Sequence, residues 1–216
     1  MNPEELIDPV TLIGELARSG GSDDEILSLL TAFQRGLEIG HLEKLLRSEN
    51  RVARRGGIWI ASELGASACD ELSEIGGLLL NSDAYVRFYA LDVVLCCAST
   101  KDSEILGRAV GLIEDLDEGV RWKALRLLAL GTREQLAAAA ESCSSAPITD
   151  GVSWILRDPE LDEILSQLEQ APLKRRFAVA AAARTERGRA VALRRAAESS
   201  DTEVRSFAIE QLEAMD

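Results

Sequence analysis

The 216-residue chain has few aromatic side chains, at 4%, only 5 prolines and a single histidine, His41. Each scarcity excludes something. A core short of aromatics must be built from Leu, Ile, Val and Ala, and a proline-poor aliphatic chain favours helices over a β-sandwich. A Ser-His-Asp or Cys-His catalytic site would have to use His41, which stands in EIGHLEKLL among apolar residues with no companion motif. It reads as a packed or solvated side chain. The four cysteines, Cys69, Cys96, Cys97 and Cys143, show no CxxC pair, so an ordinary zinc site is excluded. Nor is there a phosphate-cradling GxxxxGK[ST] or a GxGxxG. The acidic run Glu114, Asp115, Asp117, Glu118 lacks the spaced order of a calcium loop. No catalytic residue, cofactor or metal is therefore expected, and the chain is read as a non-enzyme.

Long apolar runs are missing too. None reaches the roughly 18 residues that span a bilayer, and the start, MNPEELIDPV, is acidic rather than ordered like a signal peptide. The expectation is a cytoplasmic protein with reduced cysteines acting as small core residues, above all Cys96 and Cys97 in LDVVLCCA.

What is abundant is apolar content, at 46%, and negative charge: 37 acidic against 24 basic residues, a formal net charge of -13. Such a surface repels phosphate backbones and anionic membranes and attracts basic partners.

The apolar residues are organised by repetition. SDAYVRFYAL, LDEGVRWKAL and SDTEVRSFAI align without gaps as Asp, two residues, Val-Arg, two residues, Ala, aliphatic. RVARRGGI is a weaker copy with Ala53-Arg54 and Gly57 in frame. TDGVSWIL places Val152 there with Ser153 in place of arginine, and PLKRRFAVAAA offers Lys174-Arg175. The spacing of 32 to 34 residues fits one helix pair per repeat. Asp83, Asp117 and Asp201 are expected as helix caps, because a carboxylate there accepts orphan amides and meets the positive end of the dipole. Val86, Ala90, Val93, Val94 and Cys97 form one helical stripe. Ala90, Ala124 and Ala208 are small where helices approach closely. Further starts are signalled by Ser22 with Glu25, by Ser67 and by Thr132. SSAPITDG and RDP should disturb the frame between Ser144 and Pro159.

This pattern resembles the HEAT-repeat superfamily, in particular its short bacterial HEAT-like form. The resemblance is strongest over Asn50–Leu130 and Ser200–Met215. It implies an all-α class, an α-solenoid of stacked antiparallel helix pairs, read as one domain over 1–216. Residues 1–49 would cap it, 50–143 form regular repeats, and 144–216 less regular ones. It also implies a structural ladder between repeats from Asp83, Arg87, Asp117, Arg121, Asp201 and Arg205, broken at Ser153. The superfamily has no common chemistry. The alkylpurine DNA glycosylases share the architecture but need a basic concave face. The one basic cluster here, Lys174 to Arg195, reads mainly as a solvated complement to the acidic bulk.

A partner surface is expected where the aromatics fall. Phe88, Trp122 and Trp154 each come two residues after a core valine, turned about 200° from it at 3.6 residues per turn. Asp92, Arg126 and Asp158 follow four residues on, and Trp59 with Glu63 fit the same stripe. Aromatics among charges are the usual make-up of an interaction hot spot. The reading is a protein-binding module for another protein of basic character. Its narrower form is an acidic bacterial immunity protein that inhibits a basic toxin. The alternatives are an adaptor or assembly factor of a bacterial complex and, less favoured on charge, a nucleic-acid-binding protein of the glycosylase type.

Overall fold

The computed structural model describes residues 8–185 and 188–215. It divides into two compact units, Met1–Ala98 and Ser99–Asp216. Unit 1 contains α1 (Pro9–Ser19), α2 (Asp23–Gln34), a 3-10 turn Ile39–Leu42 leading into α3 (Glu43–Leu46), and α4 (Arg51–Leu64). A 3-10 segment Gly65–Glu71 then leads into α5 (Leu72–Leu78) and α6 (Ala84–Cys97). Unit 2 contains α7 (Ser103–Gly111), α8 (Glu118–Leu130), α9 (Arg133–Ser142), α10 (Ala146–Leu156), α11 (Leu161–Leu168), α12 (Pro172–Arg184), α13 (Arg189–Ala197) and α14 (Thr202–Glu213). There is no strand among the described residues. The class is all-α, an α-solenoid of repeated helix pairs.

The repeat pattern maps onto helix starts. Asp83, Asp117 and Asp201 are the caps of α6, α8 and α14, and Asn50 plays the same part for α4. Ser22 with Glu25 and Thr132 with Gln135 form reciprocal capping boxes. The stretch expected as a helix after Ser67 instead opens in 3-10 geometry with no side-chain cap. The core stripe is as expected except at its end: Val86, Ala90, Val93, Val94, Val120, Ala124, Val152, Val204 and Ala208 are all fully buried, whereas Cys97 is half-buried. Within unit 1, α6 packs on α5 and on α4, and α4 on α3 and α2; within unit 2, α8 packs on α7 and α12, and α14 on α13 and α12.

The repeat arginines have a shared local role at the start of their own helices. In four repeats the guanidinium, four residues after the cap, turns back to a carbonyl six residues earlier. Arg54 donates to Ser48 O at 2.7 Å, Arg87 to Asn81 O at 2.7 Å, Arg121 to Asp115 O at 2.6 Å and Arg205 to Ser199 O at 2.9 Å. The arginine clamps the turn that delivers its own helix, which explains why it keeps a fixed distance from the cap. Three bonds that link repeats in unit 1 converge on Asp83, beside others such as Arg47 to Glu74 at 2.8 Å. Asp83 accepts a bidentate pair from Arg55 at 2.6 and 2.8 Å and a further bond from Arg51 at 2.8 Å.

The frame read at Val152-Ser153 needs correction. Pro147 starts α10 earlier than that alignment assumed, with Ser145 at the cap. Thr149 then occupies the arginine position, and its hydroxyl lies 3.5 Å from the Cys143 carbonyl, six residues back. The clamp at this repeat is a weak hydroxyl at Thr149; Ser153 lies a turn further on.

The predicted irregularity at this point has a packing consequence in unit 2. α12, buried continuously from Phe177 to Ala183, packs directly on α8 as well as on α10, α11, α13 and α14. Gly151 permits the α10 approach, since a Cβ there would meet the Phe177 ring at 2.2 Å. Glu203 of α14 is then enclosed between Arg121 of α8 and Arg176 of α12. Arg121 grips both its oxygens, and Arg176 Nε stands 3.3 Å away in ion-pair contact, with Glu203 only 13% exposed.

The cysteines are not buried reduced thiols. Cys69 and Cys97 form a disulfide, with Cα atoms 5.0 Å apart, that fastens the end of α6 to the 3-10 segment before α5. Cys96 is exposed and Cys143 half-buried. Adjacent residues on a helix point about 100° apart, so Cys97 can face its partner only while Cys96 turns to solvent.

Candidate protein-interaction surface

In unit 1 the second helices α2, α4 and α6 lie side by side, and a groove of about 460 Å³ opens between them. Its lining follows from position relative to each cap. Leu27 and Arg55 come five residues after theirs, Val52 and Tyr85 two, and Trp59 nine. Asp23, Ile26 and Gly56 complete it. Gly56 lets α2 come close at the floor, because a Cβ there would meet Ile26 Cδ1 at 2.3 Å. The rim stays open: Leu27 and Val52 are each 50% exposed.

The electrostatics of this groove are set by Asp83. Its carboxylate, 7% exposed, is held well below the usual carboxylate range, first by the Arg55 hydrogen bonds against the cost of burial, then by Arg51. Arg55 also lies over the Tyr85 ring at 4.9 Å. Burial, followed by the neighbouring Tyr89, pushes the Tyr85 hydroxyl up to about 12. It stays a neutral hydrogen-bonding group well above physiological pH. Both arginines nearest the groove are engaged by one buried carboxylate. Asp23, at the exposed start of α2, makes no ion pair among the described residues.

Of the stripe expected from the sequence, Trp59 lines this groove, half-buried, and Glu63 is exposed a turn further along α4. Phe88 and Asp92 lie on α6, half-buried, and Phe88 packs edge-on against Tyr89 at 5.0 Å. In unit 2, Trp122 is half-buried and overlaid by its own cations, with Arg126 at 5.2 Å and Lys123 at 5.7 Å from the ring. Trp154 sits nine residues after its cap, not five, and so occupies the position of Arg126 rather than of Trp122. Asp158 is not on the helical stripe. α10 ends at Leu156, and Asp158 stands in the following turn with φ 52°, paired to Arg133 at 2.9 Å. The sequence reading missed Asp23, Leu27, Val52, Arg55 and Tyr85. Counting from the caps instead of from the valines would have aligned them.

The basic cluster is largely turned inward or paired. Arg176 donates to Ile113 O at 3.1 Å. Arg184 binds the carbonyls of Leu128, Ala129 and Gly131 at the C-terminal end of α8, where a cation meets the negative end of the helix. Its burial there lowers its proton affinity from the usual arginine value. Arg195 pairs with Glu169 and Glu198. Arg187, also in the cluster, lies outside the described residues. His41 is half-buried in the 3-10 turn before α3. No group of three or more metal-binding side chains occurs among the described residues, and no described helix is long and apolar enough to cross a membrane.

No family model matches the sequence, and no curated protein matches it. Among solved structures, an engineered protein from a structural genomics consortium is similar in fold. Its TM-score is 0.51 at 19% identity, over 99% of this chain and 96% of that one. A designed armadillo repeat protein gives a TM-score of 0.48 at 18% identity, over 100% and 96%.

Proposed function

We propose that this chain is a non-enzymatic, HEAT-like protein-binding module whose partner is a basic protein. The observation that carries the reading is the unit 1 groove, an apolar slot left open at its rim beside arginines already engaged by Asp83. The slot belongs to a unit with 16 acidic against 8 basic residues, a net of -8 out of the chain's -13. Exposed apolar side chains in a concave site are a usual mark of an interaction surface, and the surrounding charge selects a cationic partner. The inward-turned arginines of α12 support a protein partner over a nucleic acid, since such arginines are unavailable to phosphates.

The narrower form of the proposal is an acidic immunity protein that occludes a basic toxin. It is supported by the charge. In a cytoplasmic setting, Cys69 and Cys97 would stand as a thiol pair that closes on oxidation.

Affinity purification of the tagged chain from its host, at low and at high salt, tests the reading. The expected result is a reproducible basic protein released as salt rises. Retention of an acidic protein, or of nucleic acid surviving high salt, would overturn it.

A further inference from the structure

We infer that the groove between α2, α4 and the start of α6 seats an extended segment of the basic partner, with one apolar side chain in the slot and an adjacent arginine or lysine on Asp23. The inference rests on the proposed binding role and names the chemistry recognised there.

Three features select this occupant. The first is size: about 460 Å³ falls within the roughly 300–1,000 Å³ of ligand pockets and accommodates a few side chains of an extended chain. The second is the division of the lining. Ile26, Leu27, Val52 and Trp59 are apolar, and Asp23, Arg55 and Tyr85 are its polar groups. The third is the state of the rim charges. Arg51 and Arg55 are both bonded to Asp83, and Arg55 is further fixed over Tyr85. Their positive charge is compensated locally, whereas Asp23 is exposed at the first position of α2. The Tyr85 hydroxyl, neutral at physiological pH as tyrosine ordinarily is, offers a second polar contact without adding charge. An anionic segment would gain nothing at Asp23 and would have to compete with Asp83 for its arginines. A wholly polar basic segment would leave the Leu27–Val52 rim wet.

The test uses the full chain and fluorescein-labelled peptides read by fluorescence anisotropy at low salt. (Arg-Leu-Arg)3 should bind at least about tenfold more tightly than (Arg-Ser-Arg)3 or (Glu-Leu-Glu)3. The double change Leu27→Ser and Val52→Ser should weaken it about tenfold or more, and Asp23→Asn by about threefold. All three positions are exposed, and unchanged urea midpoints confirm that the variants fold. Ser206→Lys on α14 should leave binding intact. If (Arg-Leu-Arg)3 binds equally to wild type and to both groove variants, the groove is not its seat. The wider reading then stands, because the chain still captures a basic peptide. Equal affinity for (Arg-Leu-Arg)3 and (Glu-Leu-Glu)3 overturns the assignment to Asp23. If the chain sediments as a dimer that the Leu27/Val52 variant dissociates, a second copy occupies the groove and the inference fails. Salt-sensitive capture of the native basic protein judges the wider reading independently.

Discussion

Asp83 performs two separable tasks, and two substitutions should divide them. Its Oδ1 caps α6 by accepting the Tyr85 amide at 3.2 Å, while both oxygens hold Arg55 and one also holds Arg51. Asp83→Asn retains a good cap but loses the carboxylate. Hydrogen bonds to charged groups contribute about 1.5–3 kcal/mol. Because Arg55 is 37% and Arg51 67% exposed, the expected loss is near the lower end, about 1–2 kcal/mol. Asp83→Ala adds loss of the cap, about 1 kcal/mol more. Arg51→Ala alone should cost about 0.5 kcal/mol or less, as an exposed pair does. Urea titrations at fixed redox state would give the series, and melting should fall by about 3–6 °C for Asp83→Asn in a domain of this size. The pH dependence adds a second check. A carboxyl held below its unfolded value of about 3.9 stabilises the fold above that pH, and the contribution disappears as pH falls towards the folded value. The gap between wild type and Asp83→Asn should be constant from pH 5 to 8 and shrink below about pH 4. Coincident unfolding curves at pH 7, or a gap unchanged at pH 3, would refute the assignment.

Three further outcomes follow from the packing. Glu203→Ala leaves Arg121 and Arg176 facing each other without their shared carboxylate. It should cost about 3–5 kcal/mol, seen as faster hydrogen exchange in α14, and protection equal to wild type would contradict the enclosed pair. The Cys69–Cys97 bridge closes a loop with sequence separation 28. Reduction, or Cys69→Ser, should therefore lower stability by about 3–4 kcal/mol on the loop-entropy estimate, and an unfolding midpoint insensitive to reductant argues against the bond. Ala90→Leu and Ala124→Leu, at fully buried positions, should each cost about 1–3 kcal/mol by overpacking; unchanged urea midpoints for both would show those positions to be open.

The caps and the core stripe were legible in the sequence because both are local. A carboxylate one residue before a helix, and valine and alanine at fixed offsets from it, declare themselves by spacing. The arginine was visible as a position, but its bond to the carbonyl six residues earlier was not, since spacing does not say which way a long side chain turns. The register error at α10 arose because the alignment followed Val152 and Trp154, whereas Pro147 had already set the helix start. The disulfide was illegible: Cys69 and Cys97 meet only because the 3-10 segment returns to the end of α6. The groove was half legible. Trp59 was singled out, but Asp23 and Leu27 belong to a helix without the Val-Arg signature.

The proposed recognition of a basic protein works through charge. The direct test is the association rate of the chain with its captured partner as ionic strength rises from about 0.05 M to 0.5 M, where the screening length falls well below 10 Å. Electrostatic steering predicts a steep fall in the association rate and a much smaller change in dissociation. An association rate that stays flat across that range would contradict the account.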